Sequence, residues 1–251
     1  MVRPYRWLAE YYDRHITFHL AWYEAARQEI LSSILPKLKS ACDLACGTGT
    51  TALILAKQGV RMSGVDLSPA MCKIARHKTR RLRPPVRIIR ADMREFQLAL
   101  PVDLVLCEFD ALNHVTRKSD LALVARAVYR ALRPGGHFYF DVNNRLAFQK
   151  IWPGTWWSEK PNVAFVMHGG YDRELDRGWT NIEWFLREGR LWRRRSERIE
   201  QVCWSATEIR QTLRQAGFKR IRSWDATPFF KTDPNIKPGC RTFYLAYKPA
   251  T

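Results

Sequence analysis

Short apolar runs alternate with amphipathic segments along the first 142 residues of the chain. The runs are five or six residues long, as buried strands are, and lie at 40–45, 61–66, 86–90, 102–107 and 137–142. The other segments repeat apolar residues at helical spacing and lie at 16–34, 50–58, 68–78 and 119–132. Strands that alternate with helices of this length predict parallel βαβ units and a sheet covered on both faces.

Capping residues sharpen the ends of these helices. Pro36 marks the exit from the first helix, and Gly59 is placed to end the second. Ser68 followed by Pro69 predicts a capped start for the third helix. The segment 133–136, Arg-Pro-Gly-Gly, is expected to stop the fourth helix before the fifth strand begins.

The alternation stops after residue 150. Residues 151–204 are rich in Trp, Tyr and Arg, and the strands 179–187 and 190–202 flank a turn at Glu188-Gly189. A capping box, Ser205 to Glu208, restarts the helical pattern, and two last strands at 219–224 and 241–247 have no helix between them. We therefore predict an α/β, Rossmann-like core formed by residues 1–150 and 205–251, with a small β-rich cap inserted at 151–204. Its seven-stranded sheet should be mostly parallel with an antiparallel last strand.

Bulk composition excludes several classes of protein. Hydrophobic residues make up 46 % of the 251 residues, which is enough for a sizeable core. No run of about 18 apolar residues occurs, and the first residues alternate charges with aromatic rings, so neither a membrane span nor a secretory signal is predicted. The six scattered cysteines form no CxxC motif, and we expect a reduced, cytoplasmic protein without a metal site.

The net charge of +18 leaves two interpretations open. Basic residues cluster at 76–83 and again at 193–198. Such clusters attract nucleic acids and other anions by counterion release. Clusters this short more often lie on solvated surfaces that have no partner.

The predicted carboxyl ends of the first three strands carry residues suited to an adenine nucleoside. Asp43 and the glycines Gly47 and Gly49 follow the first strand, Asp66 ends the second and Asp92 follows the third. Glycines let a ligand approach the backbone, Asp66 is placed to accept ribose hydroxyls, and Asp92 to accept an adenine amine. The segment 47–52 also fits a dinucleotide-binding fingerprint. The acidic Asp43 ahead of the glycines, where it would repel a pyrophosphate, and the terminal antiparallel strand pair argue against a nicotinamide or flavin enzyme.

Five motifs in this order resemble those of class I S-adenosylmethionine-dependent methyltransferases: DLACGTG (43–49), VDLSPAM (65–71), RADMREF (90–96), DLVLCEFDALNHV (103–115) and LRPGGHFYFDV (132–142). The resemblance spans roughly residues 5–248. It implies that Asp43, Gly47 and Gly49 surround the methionine part of the cofactor. It also implies that Asp66 binds ribose, that Leu67 and Met93 sandwich the adenine, and that Asp92 binds its amine. Further candidates for cofactor contacts are Ala45 and Cys107.

More narrowly, the chain is similar to small-molecule N- or O-methyltransferases of that class, which share a Tyr-Asp pair near the N-terminus, here Tyr12-Asp13, and an inserted β-rich cap. The resemblance implies in-line methyl transfer to an amine or hydroxyl, with S-adenosylhomocysteine as product. The candidate catalytic residues are His114, as the first choice for a base, Asp110, Asn113 and Tyr12. Each has a structural alternative: a loop hydrogen bond for His114, a turn for Asn113 and plain packing for Tyr12. Glu108 could equally be a solvated loop acid.

Two features of the sequence bear on rival functions. Some RNA base methyltransferases place a nucleophilic cysteine where Cys107 lies, but the usual neighbouring proline is missing, and a buried core cysteine is the better interpretation. The tryptophans of the insert could wall a substrate pocket, stack bases or form the insert's own core; they are Trp152, Trp156, Trp157, Trp179, Trp184 and Trp192.

A small-molecule acceptor is therefore the leading hypothesis. An RNA or protein methyltransferase is the alternative, and a non-catalytic cofactor- or nucleic-acid-binding module is the alternative of another class. The discriminating observation is whether the arginines at 193–198 line the same mouth as His114. As partners we expect a small molecule rather than a nucleic acid, no membrane, and a monomer or homodimer.

Overall fold

The computed structural model describes residues 8–15, 20–230 and 237–250 of the chain. Its helices are α1 (Tyr12–His15), α2 (Leu20–Ile30), α3 (Thr50–Lys57), α4 (Pro69–Thr79), α5 (Lys118–Ala131), α6 (Arg145–Lys150) and α7 (Ala206–Gln215). The strands of a large sheet are β1 (Ser40–Leu44), β2 (Arg61–Asp66), β3 (Arg87–Arg90), β4 (Val102–Cys107), β5 (Leu132–Asn143), β10 (Lys219–Asp225) and β11 (Arg241–Tyr247). A small sheet holds β6 (Gly154–Lys160), β7 (Val163–Asp172), β8 (Arg177–Glu188) and β9 (Leu191–Val202).

The large sheet has seven strands in the order β10-β11-β5-β4-β1-β2-β3. Neighbours from β5 to β3 pair in parallel, whereas β11 runs antiparallel to both β5 and β10. The predicted mostly parallel sheet with an antiparallel last strand is thus confirmed. Because the carboxyl ends of parallel strands meet at one edge, the polar residues that follow β1, β2 and β4 come together there.

Both faces of the large sheet are covered. Along β4, Val105 and Cys107 pack with α5 and α7 on one face, while Leu104 and Leu106 pack with α2 and α3 on the other. This alternation, with every residue of β4 buried, explains why the strand reads as a continuous apolar run.

Most predicted helix ends agree with the structure. Ser68 accepts a hydrogen bond from the Met71 amide, and Ser205 and Glu208 form the full capping box. The first helix was predicted too long, since α2 ends at Ile30 before Ser32 and Ser33, which are weak helix formers. Residues 16–19 of that prediction lie outside the described part of the chain.

The strand that follows α5 begins earlier than predicted. α5 ends at Ala131, and β5 starts at Leu132 rather than at residue 137. The pairing of β4 with β5 shifts register between Val102 and Leu104, so the segment 133–136 forms an irregular start of the strand rather than a loop before it.

The small sheet is an antiparallel meander, and β8 and β9 form the hairpin predicted within the β-rich insert. Glu188 pairs with Leu191, so the turn between β8 and β9 is Gly189-Arg190, one residue later than predicted. Trp184 is fully buried and forms a core with Val163, Phe165 and Ile182, against which Tyr11 and Tyr12 pack. Trp157, in contrast, is 72 % exposed. The insert's tryptophans therefore serve partly as its own core and partly lie at the surface.

Within the described residues, no helix is long and apolar enough to cross a membrane. The same residues contain no group of three or more His, Cys, Asp or Glu side chains arranged to hold a metal ion. All six cysteines are buried and none forms a disulfide.

Candidate active site

A pocket opens at the carboxyl ends of β1 and β4. Its lining comes from α1, α2, the loop after β1, the start of α3 and the end of β4, and comprises Tyr12, Leu20, Asp43, Ala45, Cys46, Gly47, Thr48, Thr50, Thr51, Glu108 and Phe109. Ala45, Gly47 and Gly49 all have positive φ angles, which wrap the loop around the pocket. A Cβ atom on Gly49 would lie 3.0 Å from that of Ala75, so only glycine lets α4 pack so closely here.

Asp43 forms the floor of this pocket. Its side chain is buried, and Oδ2 accepts a hydrogen bond from the Ala52 amide at 3.2 Å. Burial, followed by the charge of neighbouring Glu108, raises the pKa of Asp43 to about 8. The site therefore holds a carboxyl group that ionises readily only when a positive charge is near it.

Asp66 lies beside the glycine loop at the end of β2. Its two oxygens accept hydrogen bonds from the amides of Gly47 at 2.9 Å and Ser68 at 2.8 Å, while burial raises its pKa. The next residue, Leu67, is 62 % exposed although it is apolar. Met93 follows the neighbouring strand and is half-buried. The structure thus brings an acid and two apolar side chains of the predicted adenosine site to adjacent strand ends.

Asp92 already has a strong partner. Arg94 donates to it from Nε at 2.9 Å and from Nη2 at 2.7 Å, and these bonds lower the pKa of Asp92. Arg94 also pairs with Asp120 at 3.0 Å. The predicted contact of Asp92 with an adenine amine stays a prediction, since one face of its carboxylate is engaged.

The short helix α1 covers the pocket. Asp13 accepts hydrogen bonds from the Thr48 hydroxyl and from Lys78, both at 2.6 Å, which fixes α1 on the glycine loop. Tyr12 lines the pocket, while Tyr11 stacks on Trp184 of the small sheet with ring centroids 6.0 Å apart. The predicted position of Tyr12 over the pocket agrees with this arrangement, and α1 joins the pocket to the small sheet.

An elbow follows β4, formed by Glu108, Phe109 and Asp110. Phe109 and Asp110 have φ angles of 60° and 49°, a left-handed conformation that costs free energy for residues other than glycine. Two consecutive residues keep such a conformation only when their surroundings hold them. The elbow places Glu108 and Phe109 in the pocket wall.

Helix α2 holds the first two residues of the elbow. Arg27 donates from Nη1 to both oxygens of Glu108, at 2.8 and 2.6 Å, and both side chains are almost fully buried. One turn earlier, Tyr23 stacks on Phe109 with ring centroids 4.0 Å apart. Glu108 is therefore a buried, paired acid rather than the solvated loop acid that the sequence also allowed.

Arg241, the first residue of β11, holds the third residue of the elbow. Its Nη2 lies 2.8 Å from Oδ1 of Asp110, and its Nη1 contacts Oδ2 of Asp141 and the Tyr23 hydroxyl. Asp141 also accepts from the Asp110 amide at 3.1 Å. Burial, partly offset by Arg241, raises the pKa of Asp141 to about 6. Sequence reasoning missed this guanidinium and its partners.

Gln201, on β9 of the small sheet, links Asp110 to His114. Its Nε2 donates to Oδ2 of Asp110 at 2.6 Å and lies 3.0 Å from Nε2 of His114. Burial lowers the pKa of His114, so the ring is neutral near pH 7. Donation from Gln201 to Nε2 requires the tautomer that carries its proton on Nδ1. Asp110 and His114 thus meet at the junction of the two sheets, with an amide from the insert between them.

Asn113 and Cys107 lie elsewhere. Asn113 is fully buried; its Nδ2 donates to the carbonyls of Asn143 at 3.0 Å and Val202 at 2.8 Å, and its Oδ1 accepts from the Asn143 amide at 2.9 Å. Every one of these contacts joins the 3-10 turn 111–114 to the ends of β5 and β9, which supports the structural alternative for Asn113, and its catalytic role stays a prediction.

Cys107 is fully buried in the core between the large sheet and α5, and burial raises its pKa. The structure does not bring its side chain to the pocket wall. A thiol in that position is neither exposed nor ionised, which supports the core interpretation over the nucleophile. The contact of Cys107 with the cofactor stays a prediction.

Charge at this end of the sheet is predominantly acidic. Five carboxyl groups, those of Asp43, Asp66, Glu108, Asp110 and Asp141, accompany only two buried guanidinium groups, those of Arg27 and Arg241. The Asp13–Lys78 pair adds no net charge. Of the five, Asp43 and Glu108 line the pocket, and because the pKa of Asp43 is raised to about 8, a nearby positive charge would favour its ionised form.

Comparison with known proteins places the chain among similar sequences and folds. Residues 41–136 match the family described as "Methyltransferase domain". The putative methyltransferase YqeM of Bacillus subtilis is 27 % identical over 225 residues, covering 88 % of this chain and 89 % of that protein. A dTDP-4-amino-2,3,4,6-tetradeoxy-D-glucose N,N-dimethyltransferase of Saccharopolyspora spinosa is 34 % identical over 108 residues, covering 43 % of this chain and 42 % of that protein. The crystal structure of an S-adenosylmethionine-dependent methyltransferase from Clostridium acetobutylicum superposes with a TM-score of 0.79 at 22 % identity, covering 98 % of this chain and all of that one.

Proposed function

We propose that this chain, a class I S-adenosylmethionine-dependent methyltransferase, methylates an amine of a small polar molecule. The predicted enzyme class is confirmed by the domain match and the relatives, and the predicted fold by the superposed structure. The acceptor and the roles of individual residues are the new part of the proposal.

The observation that carries the proposal lies at the junction of the two sheets, where two carboxylates, Asp110 and Asp141, share a single guanidinium, that of Arg241. An ammonium group is drawn to this region, whereas a neutral hydroxyl gains nothing from it. An amine in its neutral form also attacks with its own lone pair, and needs chiefly to be held in line. A hydroxyl requires a base more often, and the Nε2 lone pair of His114 is already engaged by Gln201.

The relative from Saccharopolyspora spinosa supports an amine acceptor, because its name describes methylation of an amino group on a nucleotide-linked sugar. Its similarity is confined to less than half of each chain, so it supports the acceptor atom rather than a particular sugar.

The residues present fit the cofactor. When bound, S-adenosylmethionine supplies the methyl group from a sulfonium cation. Asp43, Ala45, Gly47 and Gly49 would hold its methionine part, where the left-handed loop leaves room and a buried carboxyl favours positive charge. Asp66 would bind ribose, and the exposed Leu67 would cover one face of the adenine, with Met93 and Asp92 on the neighbouring strand end.

We further propose that residues 151–204 form the substrate cap. The inner face of the small sheet is the one that packs on Tyr11 and Tyr12, and by strand alternation Gln201 lies on it. Tyr12, Asp110 and His114 would meet the acceptor from the core side, and Gln201 from the cap side. The amine loses a proton during the reaction, and neutral His114 would be placed to receive it. His114 could do so only once Gln201 had moved away from its Nε2 atom.

A nucleic acid is the less favoured acceptor. Alternation along β9 puts Arg194 and Arg198 on the outer face, where they pair with Glu183 at 2.7 Å and Glu200 at 3.0 Å. Only Arg193 and Arg195 share the face of Gln201. The cluster at 193–198 is therefore split between two faces and does not form one basic track towards His114. Oligomeric state and cellular location stay predictions.

Matched acceptors test the proposal. The protein is incubated with S-adenosylmethionine and pairs of nucleotide-linked or free sugars that differ only in carrying an amino or a hydroxyl group at one position. We expect products heavier by one or two methyl groups from the amino members alone, detected by mass spectrometry. Methylation of the hydroxyl members at equal or greater rate would contradict the amine assignment while leaving the methyltransferase class intact.

A further inference from the structure

The exposed arginines of this protein differ in their partners. Several pair with carboxylates at 2.5–3.0 Å, among them Arg94, Arg145, Arg193, Arg194 and Arg198. Others have no carboxylate ion pair among the described residues, and six of these lie close together along the chain: Arg76, Arg80, Arg81, Arg83, Arg87 and Arg90. We call these six the edge patch.

The edge patch follows one border of the large sheet. Arg76 on α4 donates to the Ile88 carbonyl at 3.2 Å, which ties the end of that helix to β3. Arg80, Arg81 and Arg83 continue from the end of α4 into the following turn. Arg87 begins β3 and Arg90 ends it, and β3 is an edge strand that pairs with β2 alone among the described strands. The six residues therefore lie along one border, although alternation along β3 puts the side chains of Arg87 and Arg90 on opposite faces of the sheet.

This border is also depleted of acids. Residues 61–90 contain nine Lys and Arg residues and a single acidic one, Asp66. Both oxygens of Asp66 accept hydrogen bonds from backbone amides, those of Gly47 and Ser68, so Asp66 forms no ion pair with the arginines of the edge patch. A surface in which arginines are neither paired nor separated by acids carries a strong positive potential, unlike the outer face of the small sheet.

We propose that the edge patch is a docking surface for the phosphate backbone of a nucleic acid. A guanidinium group can form a bidentate pair of hydrogen bonds with a phosphate. Six guanidinium groups along one border would release several counterions from the nucleic acid. None of the large exposed apolar side chains of the described residues falls within 69–90. The patch thus offers nothing to stack on a base or to insert into lipid, which favours backbone contacts without sequence preference.

The edge patch is separate from the proposed acceptor site. β3 lies at one border of the large sheet, whereas the small sheet joins at β5 and the turn 111–114, two strands or more away. Docking would place the enzyme near a nucleic acid without making that nucleic acid the acceptor. It does not depend on whether the acceptor is an amine.

Two triple variants that remove the same charge test the proposal. One replaces Arg80, Arg81 and Arg83 by Gln in the edge patch, and the control replaces Arg193, Arg194 and Arg198 by Gln. Binding of a fluorescently labelled RNA hairpin is followed by anisotropy at several salt concentrations. We expect the patch variant to bind at least about 10-fold more weakly, with a salt slope lower by about 2–3, since each phosphate contact contributes about 0.7–0.9. The control should stay within about 2-fold of the wild type.

Three outcomes would overturn the proposal. The first is an equal loss in both variants, which would show that net charge alone attracts the RNA. The second is no binding of the wild type at about 0.1 M salt. The third is a patch-dependent binding to anionic phospholipid vesicles with no binding to RNA. Cofactor calorimetry on both variants checks folding, and the single variant Arg87→Gln, expected to weaken RNA binding in the same direction, serves if the triple variant does not fold.

Discussion

The Arg27–Glu108 ion pair beside the large sheet is buried, whereas the Arg194–Glu183 ion pair of the small sheet is exposed to solvent. Arg27 and Glu108 of the large-sheet region are 3 % and 2 % exposed in their side chains, while Arg194 and Glu183 of the small sheet are 66 % and 30 % exposed. A buried pair must be complete, because the loss of one partner leaves a charge without solvent. An exposed ion pair is screened by water and salt, and contributes little to the stability of the fold. The same residue types therefore build a rigid elbow in one region and a soluble face in the other.

The largest expected effect comes from breaking the buried pair. Arg27→Met leaves Glu108 charged and buried, and should lower the free energy of unfolding by about 3–5 kcal/mol. The double variant Arg27→Met/Glu108→Gln should recover much of that loss, because no unpaired charge remains. Urea unfolding of both, beside Arg194→Met as the surface control, checks this. A single Arg27→Met variant as stable as the control would show that the two regions do not differ as described.

Arg241 tests whether the buried network also positions the chemistry. Arg241→Met removes the partner shared by Asp110 and Asp141, so the elbow and His114 should lose their alignment and kcat should fall by about 100-fold. Cofactor affinity should change far less, because Arg241 does not line the pocket. Arg241→Lys, which keeps the charge, should restore part of kcat. Equal losses of kcat and cofactor affinity would point to general unfolding instead.

A third prediction compares one acid from each region. Asp66→Asn should weaken S-adenosylmethionine binding by about 10- to 100-fold, the cost of a lost charge-assisted hydrogen bond to ribose. The matched variant Asp176→Asn, at the β7–β8 turn of the small sheet, should leave it unchanged, since its partner is the exposed Arg145. Isothermal titration calorimetry measures both. An unchanged affinity in Asp66→Asn would remove the cofactor role of that residue.

The smallest expected effect is the change in stability between pH 7 and 8. Because the folded pKa of Asp43 is raised to about 8, the folded state holds a proton that the unfolded state has released above about pH 4. Stability of the cofactor-free protein should therefore fall as pH rises towards 8. Asp141, with a pKa of about 6, also makes stability fall as pH rises, but at lower pH. His114, whose pKa is lowered, makes stability rise with pH.

The window from pH 7 to 8 isolates Asp43. Thermal unfolding of the wild type should lose more stability across this window than Asp43→Asn, which cannot titrate. Cofactor binding should release a proton in the wild type only, seen as a calorimetric enthalpy that changes with the ionisation enthalpy of the buffer. Identical pH profiles for the two proteins would refute the raised pKa.

Sequence reasoning succeeded where structure is local. The strands β1 to β4, the Ser68 cap and the capping box at Ser205 depend on periodicity and neighbouring residues, and all were predicted. The predicted cofactor residues at the strand ends were brought together because parallel strands share one carboxyl edge. Cys107 was the exception, since alternation along β4 turns its side chain into the core.

The buried network was missed because nothing local marks it. Arg27 is 81 residues from Glu108, and Arg241 is 131 residues from Asp110. The apolar periodicity of α2 was visible in the sequence, but it did not reveal that the charged side chain of Arg27 faces the core. The hydrogen bonds of Asn113 were missed for the same reason, since its partners lie on β5 and β9. The one usable signal was the position of Arg241 at the start of an apolar strand, because a charged side chain next to buried residues requires an ionic or hydrogen-bonding partner.

The measurement that tests the central claim most directly uses S-adenosylmethionine with a labelled methyl group. The protein is incubated with a cell extract, and the products are separated by size. The account predicts label in the small-metabolite fraction, on a molecule that carries a methylated amine, and the same result from the variant with Arg80, Arg81 and Arg83 replaced by Gln. Label that stays with large material and disappears on ribonuclease treatment would contradict it.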